Sequence, residues 1–287
     1  MSQPSLPVFR VLTHIILPAW LILFPGIAIA ANLTMDNIVI GGTGSSLGTM
    51  RILAKAFSET NPDINIVVLP SLGSTGGIMA LLDGKIQIGV TGRLLKDSEQ
   101  RPHVQIREYA RTPFIIAVRF DNQINEITTK ELECIYAGKT INWPDGSRLR
   151  LMLRPESDKD SQLLKSISPV LDSAVTQAVK TKGVLLAITD QDSADILENI
   201  SGSIGTGSLS LLISEKRRLK ALKFNGVEPN VENLANGTYP YFKQYFLLTR
   251  QNPDLAVMKF ITFIYSDSGQ EILKQTGNLP IENTEHN

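Results

Sequence analysis

The sequence predicts an α/β protein of two lobes, each a mainly parallel sheet flanked by helices. Three observations point there. Short apolar strands alternate with amphipathic helices through residues 37–90, which means βαβ units and a parallel sheet. The pattern changes at Pro113, where a long apolar strand begins a second series of elements. Two segments rich in large apolar residues, 114–120 and 241–249, are long enough to run between the two series. These breaks set the expected organisation: a leader over 1–30, lobe I from 31–113 and 240–287, and lobe II from 114–239.

The leader has one firm charge, Arg10, followed by an apolar run that ends in Ala28-Ile29-Ala30, the small-x-small form read by signal peptidase. Pro18 and Pro25 interrupt the run, and it is short for a spanning helix of roughly 20 residues. Its removal leaves 27 basic against 28 acidic residues. The expected product is an exported, periplasmic protein with its signal peptide cleaved.

In the remaining chain, a strand at 37–40 ends in Gly41-Gly-Thr-Gly-Ser-Ser46. A helix follows, with Leu47, Met50, Leu53, Ala54 and Phe57 on one face. A strand at 64–69 leads through Gly73-Ser-Thr-Gly-Gly77 into a helix stopped by Gly84, and 86–90 is a third strand. Thr128-Thr-Lys-Glu131 is a capping box opening a helix that ends at Gly138. After a strand at 150–153, helices are expected over 160–171 and 172–182. A Gly/Ser-rich stretch at 201–210 comes next, then strands at 219–224 and 239–249 and helices at 253–266 and 268–275.

Equal counts of 28 basic and 28 acidic residues argue against a nucleic-acid binder. The single cysteine, Cys134, excludes an intrachain disulfide and reads as a small buried hydrophobe on a helix. With only three histidines, and no evident nucleophile beside His103 in its polar loop segment, there is no recognisable hydrolytic machinery, so no enzyme, cofactor or metal site is expected.

The chemistry lies in the loops. Gly41–Ser46 and Gly73–Gly77 each follow a strand and precede a helix, with Thr43, Ser45, Ser46, Ser74 and Thr75 at cap positions. Helix starts carry unpaired N–H groups and a positive dipole end, and glycine admits close backbone approach, so the two loops together would form an oxyanion cradle. The same residues also suit plain helix capping. A third strand end, Arg154-Pro-Glu-Ser-Asp-Lys-Asp160, offers a guanidinium fork for a tetrahedral anion, or else a surface arginine paired with Glu156 or Asp158. Arg93 presents the same two possibilities.

Together with Thr91-Gly-Arg-Leu-Leu-Lys-Asp-Ser-Glu99, the helix and turn at 127–143, Asn236-Gly-Thr-Tyr-Pro240 and Ser268-Gly-Gln270, these loops resemble the periplasmic phosphate-binding proteins of ABC importers over nearly all of the exported chain. The resemblance implies a type II periplasmic-binding fold, with a ligand cleft between its two lobes that closes on phosphate or a similar oxyanion. The implied protein is a monomer that hands its ligand to a membrane permease. By position, Ser46 and Leu47 match the family's first contact pair, Ser74 its second loop and Arg154 its ligand arginine. With Ser45, Thr75, Asp158, Lys159 and Asp160 they make up the expected ligand-binding set. Two departures bear on the ligand. Gly92 stands where the family has the aspartate that accepts the phosphate proton, and Asp158-Lys159-Asp160 replaces Ser-Gly-Thr. Either Asp158 or Asp160 is then a candidate acceptor, with helix capping the competing role. An exported scaffold or regulatory protein that has lost or changed its ligand is the alternative reading.

Overall fold

The computed structural model describes residues 36–180 and 184–282, so the expected signal peptide lies outside the described residues. In chain order the first strands and helices are β1 (Asp36–Gly42), α1 (Gly44–Thr60), β2 (Ile64–Val68), α2 (Gly73–Leu82), β3 (Ile88–Thr91), β4 (Val104–Arg119), β5 (Glu126–Ile127) and α3 (Thr129–Tyr136). Then come β6 (Arg150–Leu153), α4 (Lys159–Ile167), α5 (Pro169–Ala178), β7 (Leu185–Leu186), α6 (Asp190–Asn199), β8 (Ser203–Ser208) and α7 (Leu209–Ser214). The chain finishes with β9 (Leu219–Ala221), β10 (Lys223–Phe224), α8 (Val231–Ala235), β11 (Phe242–Arg250), α9 (Leu255–Tyr265), α10 (Asp267–Gln275) and β12 (Leu279–Pro280).

One continuous sheet runs in the order β2-β1-β3-β11-β4-β8-β6-β7. β1 pairs parallel with β2 and β3, and β6 pairs parallel with β7 and β8. Between these parallel ends lie the antiparallel pairings of β11 with β3 and β4, and of β4 with β8. β4 joins the two ends because it is long: residues 104–113 pair with β11, and residues 114–118 pair with β8. The expected long strands are therefore present, and the first is longer than its apolar segment, since it starts in the polar stretch at Val104.

The hydrophobic core divides at the same place. Ile38, Met50, Phe57, Tyr245 and Phe260 pack in one cluster drawn from residues 38–110 and 245–273. Phe114, Leu132, Leu171, Ile204 and Tyr239 pack in another drawn from 114–239. Parallel strands covered by helices on both faces need apolar side chains in near-continuous runs, as 38–40 supplies.

Several elements differ from their expected form. Pro169 stands at the first position of α5, and Ser168 caps it, so the helix pair breaks at 168 and not at 171. The Gly/Ser-rich stretch is the buried strand β8, where a Cβ on Gly205 would come within 2.2 Å of Met152 Cε. Helices α6 and α7 flank it, and neither was expected. The capping box at Thr128 forms, with Glu131 N donating to Thr128 Oγ1 at 3.2 Å and Glu131 reaching back to Thr128 N at 2.8 Å. Cys134 on α3 is only half-buried, because the apolar face of that helix falls on Leu132, Ile135 and Tyr136.

Two glycines let α2 lie directly on the end of β1. Gly42 has φ +150°, and a Cβ there would sit 1.8 Å from Val90 O. A Cβ on Gly77 would meet Gly42 Cα at 2.6 Å, a backbone atom that cannot swing aside. Gly77→Ala is expected to destabilise the protein by about 1–3 kcal/mol through overpacking. That corresponds to a fall of several degrees in melting temperature, roughly 2–4 °C per kcal/mol at this size, measurable by calorimetry.

Candidate functional site

Four helices begin at one cavity of about 290 Å³. Thr43 and Ser45 reach it from the head of α1, Ser74 and Thr75 from α2, Asp158 to Asp160 from α4, and Thr189 with Asp190 from α6. The first N–H groups of a helix have no intrahelical acceptor, and the dipole adds positive potential there, so four converging heads make a strongly anion-attracting space. Two roomier hollows, about 760 Å³ beside Thr249 and Tyr265 and about 690 Å³ beside Tyr136 and Gln177, gather no such mixture of opposed charges.

Arg154 ends β6 and is buried, with 5% of its surface exposed. Its Nη1 donates to Ala187 O at 3.2 Å and its Nη2 to Asp158 Oδ2 at 2.8 Å, while Nε has no protein partner. A guanidinium this deep with an open donor is prepared for a further acceptor. Of the two expected pairings, Asp158 is the one formed; Glu156 turns to Lys165 at 2.8 Å. Arg93 is committed elsewhere, holding Glu99 in bidentate fashion at 2.6 and 2.7 Å. That grip keeps the Glu99 carboxyl down at about 2.

Asp158 caps α4, accepting from Asp160 N at 2.9 Å with the oxygen that does not face Arg154. Asp160 is 1% exposed and pairs with Lys243 of β11, which is itself buried. The Asp160–Lys243 contact is an ion pair by proximity and not an aligned hydrogen bond. Lys243 Nζ also lies 3.3 Å from Asp190 Oδ1. Burial pushes the Asp160 carboxyl up to about 6; Lys243 opposes this, and Asp158 and Asp190 reinforce it. For Asp190, burial works in the same direction, but Lys243 and Arg154 outweigh it and hold the group below the ordinary range. Burial disfavours the Lys243 charge, and the two carboxylates reverse that, so the ammonium is retained.

Ser45, Ser74, Thr75, Arg154, Asp158, Lys159 and Asp160 thus come together around the cavity. Ser46 and Leu47 do not line it. They face inward, fully buried, with Ser46 Oγ donating to Thr43 O at 3.1 Å. Gly92 lies at the cavity wall, donating its N–H to Ser74 Oγ at 3.0 Å. Asp190, Lys243 and Tyr245 also line the cavity and were missed from sequence. Each had a signal. Asp190 follows the cap Thr189 of a Thr-x-x-Asp box, and Lys243 is a lone cation in the aromatic run 239–246.

Residues 29–268 match the family described as a PBP superfamily domain. The chain belongs to that family. Among relatives of this PBP superfamily chain is the phosphate-binding protein PstS of Bacillus subtilis (strain 168), 25% identical over 256 residues, covering 85% of this chain and 81% of the relative. An ABC transporter substrate-binding protein from Clostridium perfringens, solved with bound phosphate, superposes with a TM-score of 0.71 at 22% identity, covering 86% of this chain and all of that one. An ABC-type phosphate transport receptor from Vibrio cholerae superposes with a TM-score of 0.56 at 22% identity, covering 85% of this chain and 99% of that one. The architecture is thus that of the type II periplasmic-binding proteins.

Proposed function

We propose that this protein captures inorganic phosphate for an ABC importer, as a non-catalytic, monomeric substrate-binding protein. It would act in the periplasm after loss of residues 1–30 and deliver its ligand to a membrane permease. The observation that carries this reading is the Arg154 guanidinium, buried with Nε unpartnered, at the cavity where four helix heads meet. The family and the phosphate-binding relatives support it. Lobe I (31–113 and 240–287) and lobe II (114–239) would close on the ligand. The split of the hydrophobic core between residues 38–110 with 245–273 and residues 114–239 supports that division. Ser45, Ser74 and Thr75 would supply hydroxyl and backbone donors, and Arg154 the principal charge. Lys159 would offset some of the added carboxylate charge. Ser46 and Leu47 would contribute only through backbone N–H groups, since their side chains face the core.

A second reading has its own support. Asp158, Asp160 and Asp190 all line the cavity, and each faces a cation that an anion would want. A family member with such a site could serve as an exported scaffold or carry a different oxyanion.

Thermal unfolding of phosphate-stripped protein separates these readings. A ligand that binds only the folded state adds RT ln(1 + [L]/Kd), about 2.7 kcal/mol at a hundredfold excess over Kd. Phosphate is expected to raise the melting temperature by about 5 °C or more at that excess, with 1:1 saturation by calorimetric titration. No shift with phosphate, sulfate, arsenate or molybdate would favour the scaffold; a shift with one of the others alone would reassign the ligand.

A further inference from the structure

The heads of α1 and α6 abut, and a single peptide unit is gripped from both sides. Ser45 N donates to Asp190 Oδ2 at 3.0 Å, and the carbonyl of the same peptide, Gly44 O, accepts from Gln191 Nε2 at 3.0 Å. Gln191 is steadied by Glu215 at 2.9 Å. The approach is so close that a Cβ on Gly44 would lie 2.2 Å from Gln191 Oε1. Two helix N-termini brought together present two positive dipole ends to each other, and the Asp190 carboxylate lies between them. Its side chain is only 12% exposed, and its other oxygen faces Lys243.

A carboxylate oxygen and a phosphate oxygen are equivalent acceptors for N–H groups at a helix start. Building on the phosphate reading, we propose that Asp190 is an internal competitor for the bound anion. Its carboxylate holds the place at the head of α1 that a ligand oxygen would take, and so sets the affinity of the site. An entering anion must displace it from Ser45 N or lie beside a like charge in a cavity walled by buried charged groups, and either route weakens binding. Asp190 is thus an affinity-setting residue and not a donor to the ligand.

The test is calorimetric titration of inorganic phosphate, at one pH and ionic strength, into wild type, Asp190→Asn and Asp190→Ser. Circular dichroism and cooperative melting would report folding. Lys243 keeps its pairing with Asp160 in both variants, so the cavity wall retains an ion pair. The expected result is at least tenfold tighter binding by Asp190→Asn, or by Asp190→Ser if the asparagine variant does not fold. The opposite result, weaker binding, would make Asp190 an acceptor of the phosphate proton and overturn the competitor role. Binding by wild type with no gain in the folded variants would overturn the competitor role alone. Absence of saturable binding by wild type and variants alike would overturn it together with the phosphate reading.

Discussion

Replacing Lys243 with methionine is expected to lower the melting temperature by on the order of 10 °C. Methionine keeps most of the stem volume, so packing changes little and the effect reports the charge. Lys243 is 4% exposed and stands between Asp160 and Asp190, and removing one partner of a buried ion pair leaves uncompensated charge at a cost of about 3–5 kcal/mol. At roughly 2–4 °C per kcal/mol for a domain of this size, that is a large shift. The deficit should depend on pH in a definite sense. Asp160 already binds its proton more tightly in the folded state than in the unfolded chain, near 6 against an ordinary value of 3.8. A raised carboxyl favours folding below its unfolded value, and that contribution is lost as pH rises through the folded one. Without Lys243, burial, Asp158 and Asp190 all push Asp160 higher still. The difference between variant and wild type should therefore shrink as pH falls from 8 towards 5. Adding Asp160→Asn to the lysine variant should restore part of the lost stability, as a double-mutant cycle would show. A deficit independent of pH and unaffected by the second change would mean that the lysine acts through packing alone.

The sequence carried the parts of this fold that periodicity encodes. Helix α1 was legible because Leu47, Met50, Leu53 and Phe57 repeat on one face, and α3 because its capping box is local. Strand β8 was hidden for a physical reason. Small residues at 203–208 look like a loop in composition, yet they are what a central strand needs where Met152 and α6 press against it. The loops that line the cavity could be found one by one, since each is a strand end followed by a helix. What joins them could not. The pairing of Lys243 with Asp160 and Asp190 spans 83 and 53 residues, and nothing near any of the three indicates the others. Equally, Asp158 was readable as either a cap or an Arg154 partner, and the structure makes it both, one oxygen for each. Ser46 and Leu47 illustrate a different limit. The resemblance implied contact at both, and the turn into α1 points their side chains to the core, which leaves only their backbone N–H groups for a ligand.

Arg154→Ala is expected to weaken phosphate binding by about a hundredfold or more. Hydrogen bonds to charged groups contribute roughly 1.5–3 kcal/mol each, and 1.4 kcal/mol is a factor of ten, so loss of one or two such bonds from a buried guanidinium reaches that range. Charge balance amplifies the loss. Asp158, Asp160 and Asp190 all favour the Arg154 cation against the cost of burying it, and in its absence they would face the incoming anion with Lys243, Lys159 and the Glu99-paired Arg93 to offset them. Arg154→Lys should recover part of the affinity and not all of it. An ammonium restores the charge, but it lacks the planar fork that spans Ala187 O and Asp158 while leaving Nε open. Titrating phosphate well below the melting temperature of each variant separates binding from folding, because the alanine variant is also expected to be less stable through its unpaired carboxylates. An alanine variant that remained folded and bound phosphate as tightly as wild type would remove Arg154 from the ligand. The open Nε would then be only a buried donor without a partner, and Lys243 would be the remaining buried cation able to hold the anion.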